Sequence, residues 1–369
     1  MDIGVVGGGA VGVTVAHDLA PEADVTLYEA DELAAGASGR AAGLCYDAYA
    51  DARDAELATR ALERFQELSG GGGFTFEPCP YVWLAREDDE ESDRRATEIR
   101  DGAARMREHG LDVTTLDGEA LTDRFPELVA GDVAVAAVAE SAGYADPGEY
   151  TRTMGLLARA RGVDLREDTP ARLTADGAVE TSEGPHDHDA VVVAAGAHTP
   201  EVVAPVAEIP VKPYRVQALV TESADVQTPM LFDASNSFYL RPHGEGLLVG
   251  DGTEPVEQDP DGYDREADES FREACVRYQE RALGWSWPEA RSWAGLCTAT
   301  PDGDPLVGEL ADDVYVATGW QGHGFMRAPA VAERLAAQVL GDDGIPGFEP
   351  RRFDGDETFE IVEVVAFDG

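Results

Sequence analysis

Asp2 to Ala30, DIGVVGGGAVGVTVAHDLAPEADVTLYEA, is the stretch that most limits what this chain can become. Ile3 to Val6 is a short apolar run, and Gly7, Gly9 and Gly12 follow at the G-x-G-x-x-G spacing of a dinucleotide-binding turn. Gly7 permits the tight turn, Gly9 lets a pyrophosphate approach bare backbone, and Gly12 lets the helix close on the strand. The helix N-terminus then offers free N–H groups and the positive end of a dipole to the phosphates. Val11, Val15 and Leu19 give that helix an apolar stripe, and Val25 to Tyr28 is a second strand. Glu29, with Ala30 after it, closes this strand seventeen residues beyond Gly12. An acid there can accept both hydroxyls of an adenosine ribose and repels a 2′-phosphate, so NADP is disfavoured. In a chain with 40 glycines the spacing alone is weak; the strand before it, the helix after it and the acid ending the next strand make it specific.

The 369 residues, 43% of them hydrophobic, suit one large domain or two intertwined ones with an ample core. No segment approaches twenty apolar residues, and a strand beginning at residue 2 leaves no room for a signal peptide, so a cytoplasmic protein is expected. Cys45, Cys79, Cys275 and Cys297 form no C-x-x-C pair, which argues against structural zinc, iron–sulfur ligation and a disulfide framework; no metal is expected. There are 73 acidic against 28 basic residues, a net charge of −45, and Lys212 is the only lysine. The acids are spread along the chain rather than gathered in a tail, which points to a halophilic protein whose surface repulsion is screened by molar salt. Nucleic acid is excluded as a partner, because phosphate contacts need a basic face.

After Glu29 the segment DELAAGASGRAAGLCYDAY is rich in Gly and Ala, as suits backbone lying close against a ligand. Ser38, Gly39, Arg40 and Gly43 can follow the pyrophosphate and ring of a long cofactor, or the same composition can be a flexible loop. Leu57, Ala61, Phe65 and Leu68 predict an amphipathic helix over 55–68, halted by Gly70 to Gly73. Phe74 to Leu84 is strand-like, Glu87 to His109 a charged exposed helix, Val133 to Ala139 a strand, and Gly148 to Arg161 a helix after Pro147. Ala190 to Gly196, AVVVAAG, predicts a buried central strand whose end at Ala195-Gly196 can press backbone against a cofactor. From Ile209 to Gly252 the texture becomes that of alternating antiparallel strands, a second layer. A helix over 271–283, a strand at Asp313 to Gly319, and the turn GWQGHGFMRAP leading into a helix over 328–340 complete the chain.

Three glycine-rich strand ends, early, middle and late, mean one nucleotide domain assembled from separated pieces. With VVGGGAVG and Glu29, ASGRAAG, YADPGEYTRTMGLLARARGV, VVVAAGAHTP, VKPYRVQALV, FYLRP, WAGLCTATPDGDPLVGE and YVATGWQGHGFMRAPA in this order, the chain resembles the D-amino-acid-oxidase-like superfamily of FAD-dependent oxidoreductases. This group includes glycine oxidases, sarcosine oxidases and D-amino acid dehydrogenases, and the matching segments run from residue 2 to about residue 340.

The resemblance implies an α/β fold: a discontinuous Rossmann-like FAD-binding domain (1–76, 143–208 and 293–369) and a smaller substrate domain with an antiparallel sheet (77–142 and 209–292). By position, Gly7, Gly9, Gly12, Glu29 and Ala30 would hold the ADP half of FAD, and Ser38, Arg40 and Gly43 the linker. Ala195, Gly196, Gly322, His323, Gly324, Phe325 and Met326 would lie on the flavin side. Tyr239 matches the active-site tyrosine of the sarcosine oxidase type, and His323 lies in the G-H-G turn that faces the flavin there. The departures bear on function. Sarcosine oxidases bond the flavin to a cysteine at the position held here by Gly295, with Cys297 two residues too late, so noncovalent FAD is expected. Their oxygen-activating lysine corresponds to Leu248, which favours a dehydrogenase over an oxidase. The carboxylate-pairing arginines of the glycine oxidase and sarcosine oxidase types correspond to Cys297 and Tyr46.

The expected chemistry is oxidation of the C–N bond of a small amine or amino acid, like glycine, sarcosine or a D-amino acid, by hydride transfer to flavin. A substrate carboxylate would need a cationic partner, and Arg241 and Arg327 are the candidates; either can instead be a structural ion pair. Two alternatives stand beside this: a 2-hydroxy acid or glycerol-phosphate dehydrogenase, and a non-enzymatic flavin-binding subunit of a larger complex. Without an iron–sulfur cysteine cluster, electrons must pass from FAD directly to oxygen, a quinone or a separate carrier.

Overall fold

The computed structural model describes residues 1–87 and 91–362, with backbone alone at 251 and 252. The strand Asp2–Val6 pairs in parallel with Asp24–Tyr28 on one side and Ala190–Val193 on the other. Ala190–Val193 pairs in turn, again in parallel, with Val314–Thr318. The three glycine-rich strand ends therefore lie side by side at one edge of a six-stranded sheet, completed by Asp164–Arg166 and by Leu306–Ala311, its one antiparallel member. Their inward residues, among them Ile3, Val5, Val192 and Val316, are fully buried, as expected of parallel strands covered on both faces. The helices Ala10–Leu19, Pro147–Ala160 and Gly324–Val339 pack together on one face, and Ala52–Leu68 packs outside the last of them.

A second, eight-stranded sheet runs in the order Glu289–Ala299, Lys212–Thr221, Gly246–Glu257, Phe238–His243, Met230–Asp233, Tyr81–Arg86, Val133–Ala139, Val113–Leu116. It is antiparallel except where Met230–Asp233 meets Tyr81–Arg86. The antiparallel layer expected from residue 209 onward is thus present, and strands from before residue 140 extend it. The boundary expected at 293 falls inside Glu289–Ala299, which is hydrogen-bonded along Lys212–Thr221.

Several elements differ from their sequence expectation. Phe74 to Leu84 is not one strand but two, Phe76–Pro78 and Tyr81–Arg86, in different sheets. Pro78 and Pro80 lack the N–H groups that a continuous ladder would need. The exposed helix after Glu87 is Ser92–Glu108, and residues 88–90 of its expected span lie outside the described residues. The last helix begins at Gly324, four residues before its expected start, and carries Pro329 in its interior. Pro329 therefore marks no helix start, and the N-terminus sits directly at the G-H-G turn.

Candidate active site

At the first glycine turn, Gly7 has φ +114°, and a Cβ on it would strike the Ala194 carbonyl of the neighbouring strand end. A Cβ on Gly12 would collide with the Gly7 carbonyl oxygen. Both glycines are thus required by close backbone approach. The helix Ala10–Leu19 has Gly9 as its N-cap, which brings no capping side chain of its own, and no acid in its first turn. Ser38 Oγ accepts the Ala10 N–H at 2.9 Å, which brings the early loop to the mouth of this turn. Glu29 accepts N–H groups from Gly8 at 2.5 Å and Asp31 at 2.9 Å, holding its carboxylate beside the turn, with Ala30 exposed next to it. Bare glycine backbone, an open helix end and an acid at the end of the second strand together fit the adenosine diphosphate half of a dinucleotide.

The same sheet edge continues to Gly196, φ +58°, whose carbonyl accepts the Thr318 hydroxyl at 3.2 Å. From there it reaches the late turn, Gln321 to Met326. Between this turn, the loop Arg40 to Leu44 and one face of the eight-stranded sheet is a cavity of about 1120 Å³, its open mouth included. The sheet side is a single transverse row. Trp293 lies opposite Ala218, Ala218 opposite Gly250, Gly250 opposite Tyr239, Tyr239 opposite Phe232, and Phe232 opposite Trp83. All but Gly250 line the cavity. A Cβ on Gly250 would strike the Tyr239 ring, so this glycine makes room for the tyrosine over its neighbouring strand. Alternation along the strands adds Tyr81, Tyr214, Val216, Gly295 and Cys297 to the same face. Trp293 Nε1 donates to the Arg40 carbonyl at 2.9 Å and ties the loop to the sheet.

Of the residues singled out in the sequence, Arg40, Gly43, Tyr239, Gly322, His323, Phe325 and Met326 all line this cavity, and Gly324 starts the helix behind it. His323 is open to the cavity on one side but otherwise enclosed by protein. That burial, with the Arg327 charge, pushes its pKa down to about 3, so the ring is neutral. Its Nε2 lies 3.5 Å from the Tyr46 hydroxyl, and Tyr49 meets its ring edge-on. The two arginines are placed otherwise. Arg241 gives Nε to the Ala42 carbonyl and Nη1 to that of Pro242, and lies over the Tyr144 ring. Arg327 is ion-paired with Asp54 at 3.2 Å. Neither lines the cavity, and Leu248 is buried away from it. A guanidinium near a glycine motif is visible in sequence; the acceptors that engage it are not.

Sequence reasoning missed Tyr81, Trp83, Phe232 and Gln321. The signal for the first two was the period-2 aromatic pair in YVWLAR, which puts both rings on one face of a strand. Gln321 has φ +48°, and its side-chain oxygen is buried without a hydrogen-bond partner at the cavity wall.

A profile of the family described as FAD dependent oxidoreductase matches residues 2–338. The chain belongs to that family. This flavoprotein is 28% identical over 95% of its length to 4-methylaminobutanoate oxidase (formaldehyde-forming) of Paenarthrobacter nicotinovorans, covering 44% of that protein. It is 27% identical over 98% of its length to mitochondrial dimethylglycine dehydrogenase of Homo sapiens, covering 45% of it. The chain thus spans about half the length of these curated relatives. Among solved structures, L-proline dehydrogenase from P. horikoshii superposes with a TM-score of 0.85 at 28% identity, covering 95% of this chain and 97% of the other. Among the described residues, no helix is long and apolar enough to cross a membrane, and no group of His, Cys, Asp and Glu could hold a metal ion.

Proposed function

We propose that this flavoprotein oxidises the C–N bond of a small amine or amino acid. The observation that carries the reading is the cavity itself. Its wall holds aromatic rings, a neutral histidine and no aspartate, glutamate or lysine among the described residues. Such a wall can exclude water and orient a substrate, but it offers no strong base. It therefore suits a substrate whose amine arrives neutral and needs no proton pulled from carbon. FAD, when bound, supplies a two-electron acceptor for the hydride leaving that carbon, while the nitrogen lone pair closes a C=N bond that water then splits to a carbonyl compound and an amine.

Gly7, Gly9 and Gly12 with the open helix end would hold the pyrophosphate, Glu29 and Ala30 the ribose, and Ser38, Arg40 and Gly43 the linker. Ala195, Gly196, Gly322 and His323 to Met326 would border the ring system. With Gly295 at the position where a tether would need cysteine, the cofactor is noncovalent. Tyr239 orients the substrate through its hydroxyl, and neutral His323 offers a hydrogen bond beside it. Arg241 and Arg327 act through the backbone and ion-pair contacts above, positioning the loop and the helix rather than touching substrate. Residues 1–76, 143–208 and 293–369 would form the FAD-binding unit, and the strand Glu289–Ala299 would join it to the substrate unit.

The test is the visible flavin spectrum under anaerobic conditions in concentrated salt, as sarcosine, glycine, proline, D-amino acids, 2-hydroxy acids and glycerol phosphate are added in turn. Bleaching by an amine supports the reading. Bleaching by hydroxy acids or glycerol phosphate alone overturns it. The speed of colour return on admitting air separates an oxidase from the dehydrogenase favoured by Leu248.

A further inference from the structure

The one lysine of the chain holds down a piece of late backbone. Lys212 opens the strand Lys212–Thr221; its ammonium donates to the Phe359 carbonyl at 2.7 Å and lies 4.6 Å from the centre of the Phe359 ring. Two residues on, Ile361 is buried with Tyr214 and Ala299, and Phe359 packs on the same cluster beside Val216 and Cys297. Tyr214, Val216 and Cys297 line the cavity. The register sets Tyr214 opposite Cys297 and Ala218 opposite Trp293, so this contact is made at the end of the wall away from the aromatic row. A stretch that is neither helix nor strand is therefore fastened across one end of the cavity.

The fastening works against charge. Residues 354–362, DGDETFEIV, carry four acids and no cation, on a chain of net charge −45. Glu357 is engaged: its carboxylate accepts the N–H groups of Asp354 at 2.7 Å and Gly355 at 2.9 Å and folds the start of the segment into a turn. Asp354, Asp356 and Glu360 are exposed, and Glu257 lies 3.9 Å from the same Lys212 ammonium. The attractions are short in range, namely one ammonium–carbonyl bond, one cation–ring contact and the burial of Ile361. The repulsion between the acids of the segment and those of the body reaches further, and salt sets how far: the screening length is about 10 Å at about 0.1 M and about 3 Å at about 1 M.

We propose that residues 357–362 are a strap over the Tyr214–Cys297 end of the cavity, latched by Lys212 and governed by ionic strength, down in concentrated salt and lifted as salt is withdrawn. Lifting uncovers Tyr214 and Cys297 and opens the cavity to water and small molecules at that end. Lysine suits the latch, because a compact ammonium with three donors can bond a carbonyl while lying against a ring. The strap acts in the same way whatever the cavity oxidises.

The experiment times the labelling of each cysteine by N-ethylmaleimide, an uncharged reagent, in the flavin-loaded protein between about 0.1 M and about 1 M sodium chloride, read by mass spectrometry. Cys45 and Cys275 are buried and report unfolding, while half-buried Cys79 reports loosening elsewhere. Cys297 should label about threefold or more faster at the lower salt while the other three keep their rates. Glu360→Gln should slow Cys297 labelling at low salt. Asp101→Asn, the same charge change at an exposed position on the helix Ser92–Glu108, should leave it unchanged. Lys212→Gln should speed it, and Ile361→Ser should make it fast at every salt concentration. Salt-independent labelling of Cys297 in the parent, equal shifts in Glu360→Gln and Asp101→Asn, or labelling of Cys297 only in step with the other cysteines would each overturn the strap.

Discussion

Arg327 Nη2 lies 3.2 Å from Asp54 Oδ2, joining the helix behind the late glycine turn to the helix Ala52–Leu68, with side chains only 6% and 11% exposed. The guanidinium also lies over the Tyr49 ring at 4.9 Å. Burial pushes the Asp54 carboxyl up, and the charges of Arg327 and Arg53 pull it back. The pair is thus a local neutralisation of two largely enclosed ions.

Asp54→Asn would leave Arg327 enclosed without its counter-charge. It is expected to destabilise the fold by about 3 kcal/mol, the range for removing one partner of a buried pair. A denaturant titration in concentrated salt measures this. Replacing both residues, Asp54→Leu with Arg327→Met, should recover most of the loss, because it removes both desolvated charges. If the double variant is as stable as the parent but no longer turns over any substrate, Arg327 has a substrate contact that this geometry does not assign.

Gly12→Ala tests the first glycine turn. The added methyl would collide with the Gly7 carbonyl, which is backbone and cannot swing aside. Helix and strand must separate, and the expected outcome is protein purified without flavin colour and with a lower melting temperature. Gly196→Ala is the contrast. A Cβ there has open space around it, so its penalty is conformational only, about 1 kcal/mol for a positive φ. Equal flavin content in Gly12→Ala and the parent would argue against the close approach of helix and strand.

What the sequence reveals follows from how local each feature is. The first glycine turn is legible because Gly7, Gly9, Gly12 and Glu29 lie within one strand-helix-strand unit, where spacing alone sets their relation. His323 is legible for the same reason, as part of a short turn. The aromatic wall is not: Trp83, the hairpin pair Phe232 and Tyr239, and Trp293 are far apart in sequence, and only the registers Trp83 to Phe232, Tyr239 to Gly250, Gly250 to Ala218 and Ala218 to Trp293 make one row of them. The roles of Arg241 and Arg327 fail to show for a related reason. Their partners, the Ala42 carbonyl and Asp54, belong to the early part of the chain.

Two buried groups set opposing pH dependences. His323 is held at about 3, below the usual histidine value, by burial and by Arg327. Between that value and about 6.5 the unfolded chain therefore binds the proton that the folded chain refuses, and acidification costs stability. Asp47 is the reverse, because burial raises its carboxyl to about 6 and the folded chain takes up its proton first. Stability from Asp47 is recovered as pH falls toward about 4. His323→Gln should thus lose less stability than the parent between about pH 7 and about pH 5, and Asp47→Asn should lose more, each followed by denaturation midpoints. A neutral His323 also predicts no inflection near 6.5 in kcat/KM that disappears in His323→Gln.

Tyr239 separates a chemical role from a packing role. Its ring occupies space left by Gly250 on the paired strand and sits between Phe232 and Gly250 in the transverse row. Tyr239→Phe keeps that ring and removes only the hydroxyl, so flavin content and melting temperature should match the parent. If the hydroxyl orients the substrate, kcat/KM should fall about 10- to 100-fold, the worth of about 1.4 to 2.7 kcal/mol of hydrogen bonding to a charged or polarised group. Gly250→Ala attacks the same residue from the other side. Its methyl would push the ring out of place, so turnover should fall at least as far while the residue itself is unchanged. Unaltered turnover in Tyr239→Phe together with a loss in Gly250→Ala would mean that the ring, not its hydroxyl, matters, and the orienting role would be withdrawn.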